Sequence, residues 1–202
     1  VLALTGPLAN PALGATASQT EPAFNKAKSL ICCVTVDGQG PDILEINMNA
    51  SPRTARTLVR GNPDGFVFAE IRHPRYAFSA SSSQQGSVGI IFAGRLQGTT
   101  NFNLFTVDTQ SGRVARVTSG VADDQNPEPS PDGSVIAFDS NRNDTFGATT
   151  KANRDIWVVG TNPRVADPNT PNAPAKRVTN FSAGGASENI EPTWSTDKSD
   201  AS

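Results

Sequence analysis

The chain repeats one pattern of apolar and polar segments three times along its length. Each repeat opens with a continuous apolar run, at 30–34, 88–93 and 135–138. A second segment begins with Asp or Asn, at 42–46, 103–107 and 155–159, and a third contains arginine, at 55–58, 115–118 and 176–179. Continuous apolar runs between turns are typical of strands buried on both faces. The pattern therefore predicts antiparallel strands near residues 30–35, 43–48, 88–94, 103–108, 135–139, 155–160 and 176–179.

The repeats follow one another at about 50 to 60 residues, a period in the range of β-propeller blades with long loops. A helical fold is disfavoured, because Pro or Gly interrupts nearly every window that could carry apolar side chains at i, i+3, i+4 and i+7. Gly 17 and Pro 15, with 36% hydrophobic residues, also favour short strands and many turns. We predict an all-β fold, a partial β-propeller of about three four-stranded antiparallel blades plus the first strand of another.

A turn motif stands immediately before the third apolar run. Its members are Pro127, Ser130, Pro131, Asp132 and Gly133. Pro presets φ and Gly accepts positive φ, so Pro-Asp-Gly can reverse a short strand into the apolar strand that follows. The Asp132 side chain is placed to cap the exposed amides of that turn.

The motif returns near the end of the sequence, where Pro192, Ser195 and Asp197 align with Pro127, Ser130 and Asp132 of the earlier copy. Trp194 fills the position that Pro129 has there. Together with Asp155 and Trp157 in the second segment of the third repeat, these residues resemble the repeat of TolB-like β-propellers. The resemblance implies four-stranded blades and a protein–protein interaction role, the type member belonging to a cell-envelope complex.

The resemblance divides the chain into blades at roughly 29–61, 74–120 and 126–181 and a partial blade at 189–202. The start of the second blade stays open between Pro63-Asp64-Gly65 and the segment 73–79, with Phe78-Ser79 preferred. Because a propeller needs about four to eight blades to close, we expect this chain to be a piece of a longer protein. We also expect it to self-associate through open strand edges.

Residues 1–17 are apolar and uncharged and end in Ala15-Thr16-Ala17, a small-x-small pattern suited to signal peptidase. We interpret residues 1–28 as a truncated signal peptide followed by a disordered leader, which predicts a periplasmic or secreted protein. The alternative is a leader without a targeting role. Pro7 and Pro11 break the stretch, so no transmembrane segment is predicted.

Composition argues against several classes of function. The net charge of −2 and the pI of about 5.4 offer no basic surplus for nucleic acid. The adjacent cysteines Cys32 and Cys33 would point to opposite faces of a strand, so we expect two small apolar residues and not a disulfide or a metal site. His73 is the single histidine of the chain, and no Gly-x-Ser-x-Gly elbow or phosphate-binding glycine loop is present.

The acidic loop residues leave one alternative open. Asp123, Asp124, Asp139 and Asp144 are oxygen donors of the kind that Ca²⁺ binds, although the EF-hand spacing is missing. Turn capping is the favoured interpretation, because Asp is an ordinary turn residue. We predict no catalytic, metal or cofactor-binding residues.

We therefore expect a non-enzymatic scaffold that binds a partner protein in the cell envelope or outside the cell. The alternative is the substrate-gating propeller of a larger prolyl-oligopeptidase-like peptidase whose catalytic domain would lie elsewhere in the protein. A propeller lyase acting on uronates is disfavoured, because its site is expected to use several histidines.

Overall fold

The computed structural model describes residues 18–25, 29–37, 40–60, 63–78, 88–160, 174–179 and 189–195. These residues form twelve strands and one short 3-10 turn, Pro63–Gly65. The strands are β1 Ser18–Phe24, β2 Leu30–Asp37, β3 Gly40–Asn47, β4 Thr54–Val59, β5 Phe68–Phe78, β6 Val88–Leu96, β7 Asn103–Asp108, β8 Val114–Arg116, β9 Asp124–Pro129, β10 Val135–Arg142, β11 Thr150–Gly160 and β12 Lys176–Arg177. The predicted all-β fold is confirmed.

The strands make three four-stranded antiparallel sheets, each built from consecutive strands in the orders β1-β2-β3-β4, β5-β6-β7-β8 and β9-β10-β11-β12. The first strand of each sheet packs beside the first strand of the next, since β1 contacts β5 and β5 contacts β9. Sheets that meet along their first strands radiate from a common axis, which is the arrangement of β-propeller blades. We call β1, β5 and β9 the inner strands.

Apolar side chains fill the spaces between neighbouring blades. Cys32, Val34 and Ile43 of the first sheet pack against Phe68, Phe92 and Phe105 of the second. The opposite face of the second sheet, including Ile91 and Leu104, packs against the third sheet through Phe138 and Trp157. The second sheet is therefore covered by a neighbouring sheet on each face, which explains the continuous apolar run of its strand β6.

Both cysteines are free and buried in β2, as two apolar strand residues should be. Cys32 faces the second sheet, whereas Cys33 lies on the opposite face with Leu44 and Ile46. Burial raises the pKa of the Cys32 thiol to about 12 and that of Cys33 to about 11. Neither thiol is therefore a reactive thiolate near neutral pH.

The structure corrects the predicted blade boundaries at each inner strand. Strand β1 lies inside the segment 1–28 that was predicted to be leader. The second sheet starts at Phe68, so Phe78 ends its inner strand and does not open the blade. The third sheet starts at Asp124, slightly before the predicted boundary at 126. Inner strands escaped the prediction because they carry proline and charged residues where the other strands carry apolar runs.

Within the part of the chain that the structure describes, no helix has the length and apolar character needed to cross a bilayer.

Candidate functional site

Every inner strand carries the same backbone irregularity, placed at a residue that precedes proline. The residues Glu21, His73, Asn126 and Glu191 have positive φ, at 54°, 50°, 50° and 55°. In the first three sheets the pair formed by this residue and its proline opposes a single residue of the next strand, which is a β-bulge. The X-Pro pair at residues 191–192 repeats this positive φ in the segment that follows the third sheet.

These bulges turn polar groups from one blade toward the preceding blade. The backbone amide of His73 donates to the Glu21 carboxylate across the first and second sheets. The amide of Glu191 donates in the same way to Asp139 Oδ2, at 3.2 Å. A bulge frees an amide from its own ladder, and the freed amide of His73 is satisfied by a carboxylate of the neighbouring sheet. The inner strands β1 and β5 are thus joined by a polar contact as well as by apolar packing.

Asp139 is the centre of the largest of these polar groups. Its carboxylate pairs with the Arg154 guanidinium and accepts a hydrogen bond from Asn126 Nδ2 at 2.6 Å. Arg154 Nη1 also lies 2.8 Å from Asp123 Oδ2. The Asp139 side chain is fully buried, and its partner Arg154 is 14% exposed.

His73 lies between charged groups of both signs. Its Nε2 is 3.9 Å from Glu21 Oε1. Burial lowers the pKa of His73, and the nearby Arg72 and Arg75 act in the same direction, against Glu21 and Asp139. The imidazole is therefore neutral at pH 7. Its Nδ1 is buried and has no hydrogen-bond partner among the residues that the structure describes.

A second polar group is deeper in the third sheet. Arg142 and Asp124 form an ion pair at 2.5 Å with side chains that are 2% and 0% exposed. Ser140 Oγ donates to Asp124 Oδ1 at 2.5 Å, and the guanidinium lies over the rings of Phe138 and Trp157. Burial raises the pKa of Asp124, while Arg142 and the hydroxyl of Ser140 oppose that rise. The pair fixes the ends of β9 and β10 where they enter the loops at one end of the blade.

The predicted motif residues form the turn between β9 and β10. Asp132 Oδ1 accepts hydrogen bonds from Ser130 Oγ at 2.6 Å and from the Ser134 amide at 3.0 Å. Gly133 has a φ of 70°, and its amide donates to Ser130 O at 2.8 Å. Pro127 follows the bulge residue Asn126, and Pro131 lies inside the turn. The motif residues thus form a hydrogen-bonded turn that connects the inner strand β9 to the buried strand β10.

The remaining motif residues lie in two places. Asp155 is buried in β11, where it pairs with Lys151 and with Arg177 at 3.4 Å. Trp157, 2% exposed, packs in the core between the second and third sheets. The second copy of the motif lies beside the inner strand β9, since Trp194 Nε1 donates to Glu128 O at 2.9 Å. Pro192 and Ser195 belong to that segment, and Asp197 lies outside the described residues.

The sequence placed Thr118 and Thr179 in the third segment of the repeat but did not predict their role, and both lie just after the last strand of a sheet. Thr118 Oγ1 accepts the Leu104 amide, and Thr179 Oγ1 accepts the Ile156 amide, both at 2.9 Å. The Val-Thr pairs at 117–118 and 178–179 were a visible signal, because they end the third segment of the repeat.

Each of the four acidic loop residues considered as a calcium ligand has a partner within the chain. Asp123 and Asp139 are engaged with Arg154, and Asp124 is engaged with Arg142. Asp144 caps its own loop by accepting from the Phe146, Ala148 and Thr149 amides. Among the described residues no group of three or more His, Cys, Asp or Glu side chains is arranged to hold a metal ion.

Gly133→Val should destabilise the third blade by about 1 to 3 kcal/mol, because a β-branched residue is strained at positive φ. Gly160→Val is the matched control, since a Cβ there meets nothing within 4 Å. Urea unfolding followed by tryptophan fluorescence measures both variants. Equal unfolding free energies for the two variants would contradict the positive-φ turn.

The capping aspartates predict that the stability of the chain decreases at low pH. Hydrogen bonds from the Ser130 hydroxyl and from Ser134 hold the pKa of Asp132 at about 2, and the Thr149 hydroxyl and loop amides hold that of Asp144 at about 2. Both values lie below the ordinary 3.8, so their stabilisation is complete above about pH 4 and is lost as the pH falls toward 2. The free energy of unfolding, measured with urea between pH 2 and 5, should depend less steeply on pH in the double variant Asp132→Asn/Asp144→Asn. An equally steep dependence in the variant and in the unchanged chain would contradict the capping role of the two aspartates.

Comparison with known proteins places the fold. No protein-family model matches the chain, and no curated protein matches it. Among solved structures, TolB from Acinetobacter baumannii is similar at a TM-score of 0.53 and 19% identity, covering 83% of this chain and 33% of that protein. A putative TolB from Agrobacterium tumefaciens is similar at 0.53 and 18%, covering 81% of this chain and 47% of that protein. An oligogalacturonate lyase in complex with manganese is similar at 0.53 and 10%, covering 83% and 43%.

These likenesses, with the three sheets and their common axis, show that the described chain has the fold of a TolB-like β-propeller. The chain spans between a third and a half of the length of these structures. At such identities the likeness concerns the fold and not the activity.

Proposed function

We propose that the chain is part of a non-enzymatic β-propeller scaffold that binds a partner protein. One observation carries this proposal: the motif residues and the polar groups of the inner strands are engaged in holding turns and blades together. Asp132 caps a turn, Asp155 pairs with basic neighbours, and Asp139 joins the third blade to the segment that follows. Such an arrangement makes a rigid frame whose surface loops are available for recognition.

The proposal includes a location in the cell envelope or outside the cell. It is supported by the apolar stretch at 1–17 and by the likeness to two TolB structures. Cell fractionation of the natural host with an antibody against the chain tests this location. Recovery in the cytoplasmic fraction alone would contradict it.

The binding role is tested with the purified chain immobilised on a support and exposed to the envelope and culture-supernatant fractions of its host. We expect one protein to be retained in a stoichiometric amount and to form a complex with the chain when both are purified. Peptidase and uronate lyase assays belong in the same experiment. Turnover of either substrate, abolished by a single substitution in this chain, would contradict a non-enzymatic scaffold and favour the peptidase or lyase alternative.

A further inference from the structure

The single histidine of the chain lies at the contact between the first and second sheets. His73 belongs to the inner strand β5, and its backbone amide donates to the carboxylate of Glu21 on the inner strand β1. We call this contact between Glu21 and His73 the inner junction. A change in the protonation of the His73 side chain therefore occurs on the residue that joins two neighbouring blades.

The backbone of His73 depends on the inner junction. Its φ is 50°, in the left-handed region that residues other than glycine rarely adopt. The bulge formed by His73 and Pro74 frees the His73 amide from the ladder between β5 and β6. Glu21 accepts this amide, and a rarely populated backbone conformation persists only where such contacts hold it.

The imidazole ring of His73 has no hydrogen bond in its present position among the described residues. Its Nδ1 is buried and without a hydrogen-bond partner there. Its Nε2 lies 3.9 Å from Glu21 Oε1, which is beyond hydrogen-bond distance. A protonated imidazole carries N–H groups on both nitrogens. Protonation in place would therefore leave a charged donor buried at Nδ1 without an acceptor, which is unfavourable.

Charged groups of both signs surround the ring. Glu21 of β1 and Asp139 of β10 favour the charged imidazole, whereas Arg72 and Arg75 of β5 disfavour it. The charged groups that pair with the last three are Glu70 beside Arg72 and Arg95, Glu128 of β9 beside Arg75, and Arg154 of β11 beside Asp139 and Asp123. Burial has the largest effect on the pKa of His73 and, with the two arginines, lowers it against the two acids.

We propose that the inner junction is a pH-sensitive contact: at mildly acidic pH, protonation of His73 drives its ring toward water and releases its backbone amide from Glu21. The ring and the amide belong to one residue of a bulge, so the ring cannot leave its buried position without moving that bulge. Cys32 and Val34 still pack against Phe68 when the contact opens, so the loosening is local. The inner junction does not depend on the partner of the proposed scaffold, so either proposal can fail without the other.

The direction of the pH effect follows from proton linkage. An open junction exposes His73 to water, where the pKa of histidine is about 6.5, whereas the closed junction holds the pKa of His73 lower. The open form then binds more protons, so the stability of the closed form is complete above about pH 7 and falls as the pH decreases through 6.5. A single histidine of ordinary pKa limits this loss to about eightfold between pH 7.0 and 5.5.

Amide hydrogen exchange, measured by NMR on the nitrogen-15-labelled chain at pH 7.0 and 5.5, tests the proposal. Each rate is corrected for the intrinsic exchange rate at its pH. We expect the protection factor of the His73 amide to fall about three- to eightfold from pH 7.0 to 5.5. Val114 is the matched control, because its amide also donates to a carboxylate, Asp64 Oδ2, at 2.6 Å. Its protection factor should change by less than about twofold.

The variant His73→Asn removes the imidazole and keeps a residue suited to the bulge. Asn126 has the same φ of 50° in the inner strand β9 and also precedes a proline, Pro127. We expect the protection factor of the amide at position 73 in this variant to change by less than about twofold between the two pH values. A loss as large as in the unchanged chain would overturn the proposal, because the imidazole would then not be its source.

The unchanged chain also gives a result that does not depend on the variant. The imidazole proton resonance of the single histidine reports its titration midpoint, which we expect below 6.5. A midpoint above 6.5, or protection of the His73 amide that stays constant or rises as the pH falls, would show that Glu21 holds the charged imidazole in place and would overturn the proposal. An equal loss of protection at His73 and Val114 would also overturn it, because the opening would then not be local to the inner junction.

Discussion

Arg142→Ala should destabilise the chain by about 3 to 5 kcal/mol, because it leaves the Asp124 carboxylate buried without its counter-charge. The side chains of Arg142 and Asp124 are 2% and 0% exposed, so water cannot replace the lost guanidinium without opening the sheet. The substitution also removes the hydrogen bond to Thr145 O and the stacking over Phe138 and Trp157. Chemical denaturation at pH 7 measures the loss.

Two further variants separate charge from packing at this pair. Arg142→Met with Asp124→Leu removes both charges and keeps apolar volume, and we expect it to be much less destabilised than Arg142→Ala alone. Arg72→Ala is the surface control, since both side chains of its ion pair with Glu70 are partly exposed, at 41% and 32%. It should lose no more than about 1 kcal/mol. A loss for Arg142→Ala as small as that for Arg72→Ala would show that the buried pair does not hold β9 to β10.

Gly120→Val should destabilise the chain by about 4 kcal/mol, through two effects of about 1 to 3 kcal/mol each. One is strain, because Gly120 has a φ of +103°. The other is overlap, because its Cβ would lie 2.3 Å from the backbone oxygen of Gly147. Backbone atoms cannot rotate away as a flexible side chain can, so the loops 118–122 and 144–149 must separate.

Gly98→Val isolates the first of these effects. Gly98 also has positive φ, at +80°, but a Cβ there meets nothing within 4 Å. We expect Gly98→Val to show the strain alone, about 1 to 3 kcal/mol. Equal losses for the two variants would show that the loops do not rely on the close approach.

Some of this architecture follows directly from the sequence. The apolar runs in β2, β6 and β10 predict buried strands, because a strand covered on both faces does not alternate apolar with polar residues. The Pro-Asp-Gly segment predicts the turn between β9 and β10, since the conformational preferences of its residues do not depend on a partner distant in sequence. The repeat order then yields a propeller.

The inner strands, the buried ion pair and the exposed apolar side chains depended on the tertiary structure. The inner strand β5 contains Arg72, His73 and Pro74, a sequence typical of a loop. It forms a strand because the bulge at His73 and Pro74 frees the His73 amide, and the Glu21 carboxylate of the neighbouring sheet accepts that amide. Asp124 and Arg142 looked like ordinary loop residues, because burial of a charge depends on a partner distant in sequence. Exposure of Val121 and Phe146 is likewise decided by which surfaces the other blades cover, and no local pattern records that.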